Sequence, residues 1–147
     1  MRAWQVAAHG EPRDVITLRE VVPPVPARGE VLVDVRAAAV GLPDVLMCRG
    51  SYAFSPPLPF TPGQEVCGVV AGVGDGARFG IGDRVLGVTR FPSGHGGFAE
   101  QTVLGATSIF RVPETMDDAD AAGFSIGWST AWVALVRRAR LQAGEHL

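Results

Sequence analysis

The sequence contains no lysine. Its 13 basic side chains are all arginine, set against 15 Asp plus Glu, for a formal net charge of −2. That balance excludes the broad positive surface that nucleic-acid binding demands. Cysteine is scarce: Cys48 and Cys67 are the two present, too few and too separated for a disulfide framework or a structural zinc knuckle. Both read as reduced thiols, Cys67 inside an apolar strand. No run of about 18 apolar residues occurs, so no membrane span is expected. The first residues lack a basic-then-apolar export pattern, and the expectation is a cytoplasmic protein. A Gly-x-Gly-x-x-Gly fingerprint is also missing. Gly72, Gly74 and Gly76 have the wrong spacing and follow a strand pattern without opening a helix, so they read as a turn.

What is present is a chain of 147 residues, 47% hydrophobic and 19% charged, enough for one globular domain with its own core. Residues 2 to about 112 read as short strands broken by Gly and Pro: residues 4–7, 16–21, 30–37, 65–74, 83–88, 97–103 and 109–112. The segment 9–14 between the first two is turn chemistry. The prolines of 22–26 place an extended connector there. Pro43 and Asp44 open a short helix that Gly50 closes, and Asp44 is placed to cap it. Residues 51–62 hold four Pro and form an ordered loop. In the most apolar strand, 65–74, glycines stand where curvature or close approach is needed. Asp117 to Ala122 is a short helix with acids in its first turn. Residues 125–140 form a helix with Trp128, Trp132, Leu135, Val136 and Ala139 on one face and Arg137, Arg138 and Arg140 in its last turns. The Trp128/Trp132 stripe reads as helix-to-domain packing. Many short strands with Gly-rich turns predict a mainly β fold, a small and partly open barrel.

Five segments then occur in a telling order. They are Glu30-Val31-Leu32-Val33 after Gly29; Pro62-Gly63-Gln64-Glu65-Val66-Cys67-Gly68-Val69-Val70; Gly82-Asp83-Arg84-Val85; Gly96-Gly97-Phe98-Ala99-Glu100; and Thr130-Ala131-Trp132 with Ala134-Leu135, followed by Leu141 and Gly144-Glu145. In these the chain resembles the N-terminal GroES-like (chaperonin-10-like) catalytic domain of the medium-chain dehydrogenase/reductase superfamily. The resemblance implies residues 1–124 as the GroES-like substrate domain. It implies residues 125–147 as the hinge helix and first residues of a nucleotide-binding domain, with the dinucleotide fingerprint expected a few residues past Glu145 and the Rossmann fold absent from the chain.

The zinc alcohol dehydrogenases of this superfamily carry a Cys where this sequence has Gly41 and a His where it has Gln64. Glycine has no ligand atom, and an amide is a poor zinc donor. The stretch from Arg90 to Gly97 is too short for a structural-zinc lobe. No metal site is expected, and His9, His95 and His146 show no ligand spacing. The zinc-free branch resembles NADPH-dependent quinone oxidoreductases, which implies reduction of a quinone or α,β-unsaturated carbonyl by direct hydride transfer. An activated acceptor needs positioning and a donor for developing negative charge more than a Lewis acid. The resemblance assigns Tyr52 and Gln64 to the substrate pocket, and Gly41, Pro43 and Thr130 to the cofactor. Taken as a residue alone, Tyr52 reads equally as a loop aromatic packed on Phe54 or Phe60. Glu65, beside an apolar strand, needs a partner, for which an arginine such as Arg49 is expected. Most cofactor contacts are expected outside this chain, so turnover by these residues alone is not. The alternative reading is a non-catalytic GroES-like module that forms a homodimer or pairs with a partner through the hinge helix, whose apolar stripe would otherwise face water.

Overall fold

The computed structural model describes residues 1–146; Leu147 lies outside them. Six strands and four helices are arranged as β1 (Arg2–Val6), α1 (Pro12–Val15), β2 (Ile16–Glu20), β3 (Glu30–Ala39), α2 (Leu42–Cys48), β4 (Glu65–Val73), β5 (Arg84–Thr89), β6 (Gln101–Arg111), α3 (Asp118–Ala122) and α4 (Phe124–Trp132). The fold is mainly β with short helices, as expected. Strands β3, β4, β5 and β6 pair antiparallel in a ring, and β1 and β2 form a separate two-stranded ribbon.

The ring follows from the side-chain pattern. Val31 and Val33 of β3 alternate inward and meet Val66, Val70, Val85, Leu104 and Ile109 in one buried cluster. Each such side chain removed from water contributes about 1.5–3 kcal/mol. β4 is buried on both faces, which explains its nearly unbroken apolar sequence. Its other face sends Cys67 to pack with Leu86 and with Ala121 and Ala122 of α3. Gly68 is needed for close approach, because a Cβ there would lie 2.2 Å from the backbone oxygen of Asp34.

Three local readings are corrected. The strands expected at 97–103 and 109–112 are one strand, β6. Its first half pairs with β3 (Thr102 with Val33) and its second half with β5 (Ile109 with Gly87). The changeover is stitched by the Ser108 hydroxyl, which donates to Val88 O at 3.1 Å and Gly105 O at 3.2 Å. A strand that changes partner closes the ring, and periodicity carries no trace of that change. The turn expected at 9–14 contains the single helical turn α1, with Pro12 at its start. The last helix reaches Arg138, not Arg140: after α4 it widens into π-type turns over Val133–Arg138. Arg140 takes a left-handed conformation at φ 55°, and Leu141 N donates back to Leu135 O at 3.0 Å. That reversal stops the helix before its last arginine. Residues 142–145 then close a turn through Glu145 N to Gln142 O at 3.2 Å.

Turn chemistry accounts for the Gly-Asp-Arg-Val segment. Asp83 accepts from Gly80 N at 2.8 Å, and Gly82 supplies a φ of 91° that only glycine adopts freely. Arg84 donates to Asp118 at 2.8 Å and to Met116 O at 2.7 Å, pinning α3 to β5.

Candidate functional site

Three of the Gly-rich segments meet at one end of the barrel. The centre is Asp44, in the first turn of α2. Its Oδ2 accepts from Gly41 N at 2.8 Å, which caps its own helix as expected. Its Oδ1 accepts from Gly63 N, also at 2.8 Å, and the backbone N–H of Gln64 reaches the same carboxylate. Burial pushes the Asp44 carboxyl above the ordinary aspartate value, while these three backbone donors pull it back. Gly63 in turn rests on the Gly96-Gly97-Phe98 segment. Gly97 N donates to Gly63 O at 2.7 Å, and Phe98 N donates to Pro62 O at 2.9 Å. A Cβ on Gly63 would sit 2.7 Å from the nitrogens of Gly97 and Phe98. Thr89 locks the turn from the other side: its hydroxyl donates to Gly63 O at 2.9 Å and its N–H to Gln64 O at 2.8 Å.

This frame fixes the main chain of Gln64 and leaves its side chain unsatisfied. Gln64 is only 5% exposed, and its Nε2 has no hydrogen-bond partner among the described residues. A buried amide donor calls for an acceptor, and none of the described residues supplies one to this Nε2.

The sequence-assigned residues divide into groups. Gly41, Pro43 and Gln64 are drawn together through Asp44. Tyr52 lies beyond the other end of α2, against the buried cluster of Val6, Met47, Cys48 and Phe60. Its ring is 5.9 Å from that of Phe54 and 6.4 Å from that of Phe91. Thr130 is exposed on α4. A cleft of about 770 Å³ between the ribbon and the barrel is lined by Trp4, Ile16, Leu18, Val35, Val40 and Phe98, and none of the five residues lines it. No feature of the sequence announced that cleft, because its walls come from strands whose exposed faces look alike in a period-two pattern.

Glu65 departs from expectation. Arg49 donates twice to Glu11, at 2.9 and 2.8 Å, so it is not the partner of Glu65. Instead Glu65 Oε2 accepts from Ile126 N at 2.6 Å. Burial raises the Glu65 carboxyl above the ordinary glutamate value; the Ile126 donor lowers it, Asp44 nearby raises it, and the Ser125 donor lowers it. A helix start offers unpaired N–H groups at its positive end, and a carboxylate can accept from them in place of a guanidinium. The tryptophan stripe does not pack on the barrel among the described residues: Trp128 is 66% and Trp132 59% exposed, and the Trp128 ring stacks on Phe124 at 5.7 Å.

Among the described residues no three His, Cys, Asp or Glu side chains are grouped as a metal site requires. No described helix is long and apolar enough to cross a membrane.

With this frame in view, residues 27–114 match the alcohol dehydrogenase GroES-like domain. The chain belongs to that family. It is 40% identical over 145 residues to quinone oxidoreductase-like protein 2 of Rattus norvegicus, covering 98% of this chain and 40% of the relative. It is 36% identical over 149 residues to the quinone oxidoreductase of Homo sapiens, covering 100% of this chain and 44% of that one. A mycobacterial protein solved in complex with NADPH superposes with a TM-score of 0.85 at 28% identity, covering 99% of this chain and 44% of that chain. The chain thus spans less than half the length of the curated relatives it matches. These similarities place it with the N-terminal domain of the medium-chain dehydrogenase/reductase superfamily, in the quinone oxidoreductase branch.

Proposed function

We propose that this chain is the catalytic-domain part of a zinc-independent, NADPH-dependent oxidoreductase that reduces a quinone or an α,β-unsaturated carbonyl by direct hydride transfer. The observation that carries the reading is the Gln64 amide, buried and without a partner among the described residues, on a turn locked by Asp44 and Thr89. Gly41, which has no ligand atom, sits on the same carboxylate. Such a site offers a fixed N–H donor and no thiolate–imidazole pair for zinc. NADPH, when bound, supplies the hydride. Gln64 donates a hydrogen bond to an oxygen of the bound molecule. Gly41 and Pro43 give a wall without bulk at the start of α2. Thr130 offers a hydroxyl from α4, and Tyr52 an aromatic side with a phenol at its edge.

The test is NADPH oxidation by the protein that carries this chain, with para-benzoquinone and an enone as acceptors, with and without a chelator. Acceptor-dependent oxidation that the chelator leaves unchanged is the expected result. Turnover of simple alcohols that the chelator abolishes would overturn it. By isothermal titration, residues 1–147 alone should bind NADPH more weakly than micromolar; micromolar binding would contradict the assignment of most cofactor contacts elsewhere.

A second reading has its own support. Phe124, Trp128, Trp132, Val133 and Val136 line an apolar groove of about 550 Å³ on the last helix, which favours self-association into a homodimer. Light scattering after size exclusion decides: a clean monomer argues against it.

A further inference from the structure

Helix α4 begins without a cap of its own. Its N-cap residue is Gly123, which has no side chain to accept from the free N–H groups of the first turn. Those groups are served from elsewhere in the chain. Glu65 Oε2 accepts from Ile126 N at 2.6 Å, across 61 positions of sequence, and the Ser125 N–H reaches the same carboxylate. No residue of α4 is buried, so apolar packing holds this helix weakly. A carboxylate at the positive end of its dipole anchors it to the barrel.

The anchor joins two residues of the proposed site. Glu65 directly follows Gln64 at the start of β4. Thr130 lies four residues beyond Ile126, on the same helix face and one turn along. We propose that Glu65 is a positioning residue: its carboxylate sets the rotation and height of α4 and so holds Thr130 in one place relative to Gln64. The consequence for turnover rests on the function proposed above; the tether itself does not.

The test uses two conservative variants. Glu65→Asp keeps the charge but withdraws the carboxylate by one methylene. Glu65→Gln keeps the length and one acceptor oxygen. In hydrogen exchange of the chain, Glu65→Asp is expected to speed the amides of residues 126–132 roughly tenfold or more, with the barrel amides of Val33 and Val70 unchanged. Glu65→Gln, which keeps an acceptor but loses the charge at the helix start, is expected to fall between Glu65→Asp and the wild type. In the NADPH assay, kcat/KM should fall in Glu65→Asp and fall less in Glu65→Gln. Unchanged α4 exchange in Glu65→Asp overturns the tether, as does a uniform rise across barrel and helix. Loosened α4 with intact kcat/KM overturns the positioning role. Loosened α4 in a protein whose wild type does not oxidise NADPH supports the tether and sinks the functional reading alone.

Discussion

Asp44 holds Gly63 at 2.8 Å, so one buried carboxylate joins the start of α2 to the start of β4. The same group accepts from Gly41 N. Removing it strands at least two backbone donors where water has little access. Each unpaired donor costs about 1–3 kcal/mol, so Asp44→Ala should lower unfolding stability in urea by roughly 2–5 kcal/mol, with Asp44→Asn falling between. A loss of only a few tenths would mean that this end of the barrel stands without the carboxylate.

The same group sets a pH dependence. Burial raises Asp44 above the ordinary value, so the folded state binds its proton more tightly than the unfolded chain does. Its contribution to stability is full below the unfolded pKa, near 3.9, and is lost as pH rises through the folded pKa. Asp44→Asn removes that titration. The stability advantage of the wild type over Asp44→Asn should therefore shrink as pH climbs above about 4. An advantage that grows over that range would show that the backbone donors outweigh burial.

Glycine contacts sort β4 into positions that tolerate a side chain and positions that do not. A Cβ at Gly68 meets Asp34 O at 2.2 Å, whereas one at Gly72 meets only Leu32 side-chain atoms, the nearest at 3.4 Å. Gly68→Ala should cost about 3 kcal/mol or prevent folding. Gly72→Ala should stay within about 0.5 kcal/mol of the wild type. Comparable thermal melts for the two would contradict the register of β3 on β4.

Much of this frame was legible in the sequence because its causes are local. Alternation placed Val31 and Val33 inside, and Pro43-Asp44 and Gly50 bounded α2, with Gly50 at φ 70°. The Gly-rich segments pointed to Gly41 and Gln64 by resemblance. What was missed depends on pairs far apart in the chain. Glu65 was expected to meet an arginine, and it meets Ile126 N instead; no spacing rule connects those positions. The bend of β6 from one partner strand to another is likewise a property of the closed ring. The exposed Trp128 and Trp132 have an apolar periodicity indistinguishable from that of a buried stripe, since periodicity reports a face and not what covers it.

The thiols give a direct check on the core. Cys48 and Cys67 are both fully buried. Burial pushes the Cys67 thiol up to about 11, and its hydrogen bond to Asp118 adds to the shift. Since the thiolate is the reactive form, alkylation at about pH 8 should be slow for both residues in the folded chain. Labelling should accelerate in step with loss of β-sheet signal as urea is added. Rapid stoichiometric labelling of Cys67 without denaturant would contradict the packing of α3 on β4.

Gln64 should separate function from stability. Its Nε2 is buried without a partner among the described residues, so Gln64→Leu removes an unpaired donor and keeps comparable bulk. The chain should be as stable as the wild type, or more stable by up to about 2 kcal/mol. If the amide donates to a bound oxygen, as proposed, kcat/KM for quinone reduction should fall by about tenfold or more in the same variant. A core amide bonded to the backbone predicts the opposite pair of results: lower stability and unaltered turnover. Urea unfolding and NADPH oxidation measured on one preparation distinguish the two.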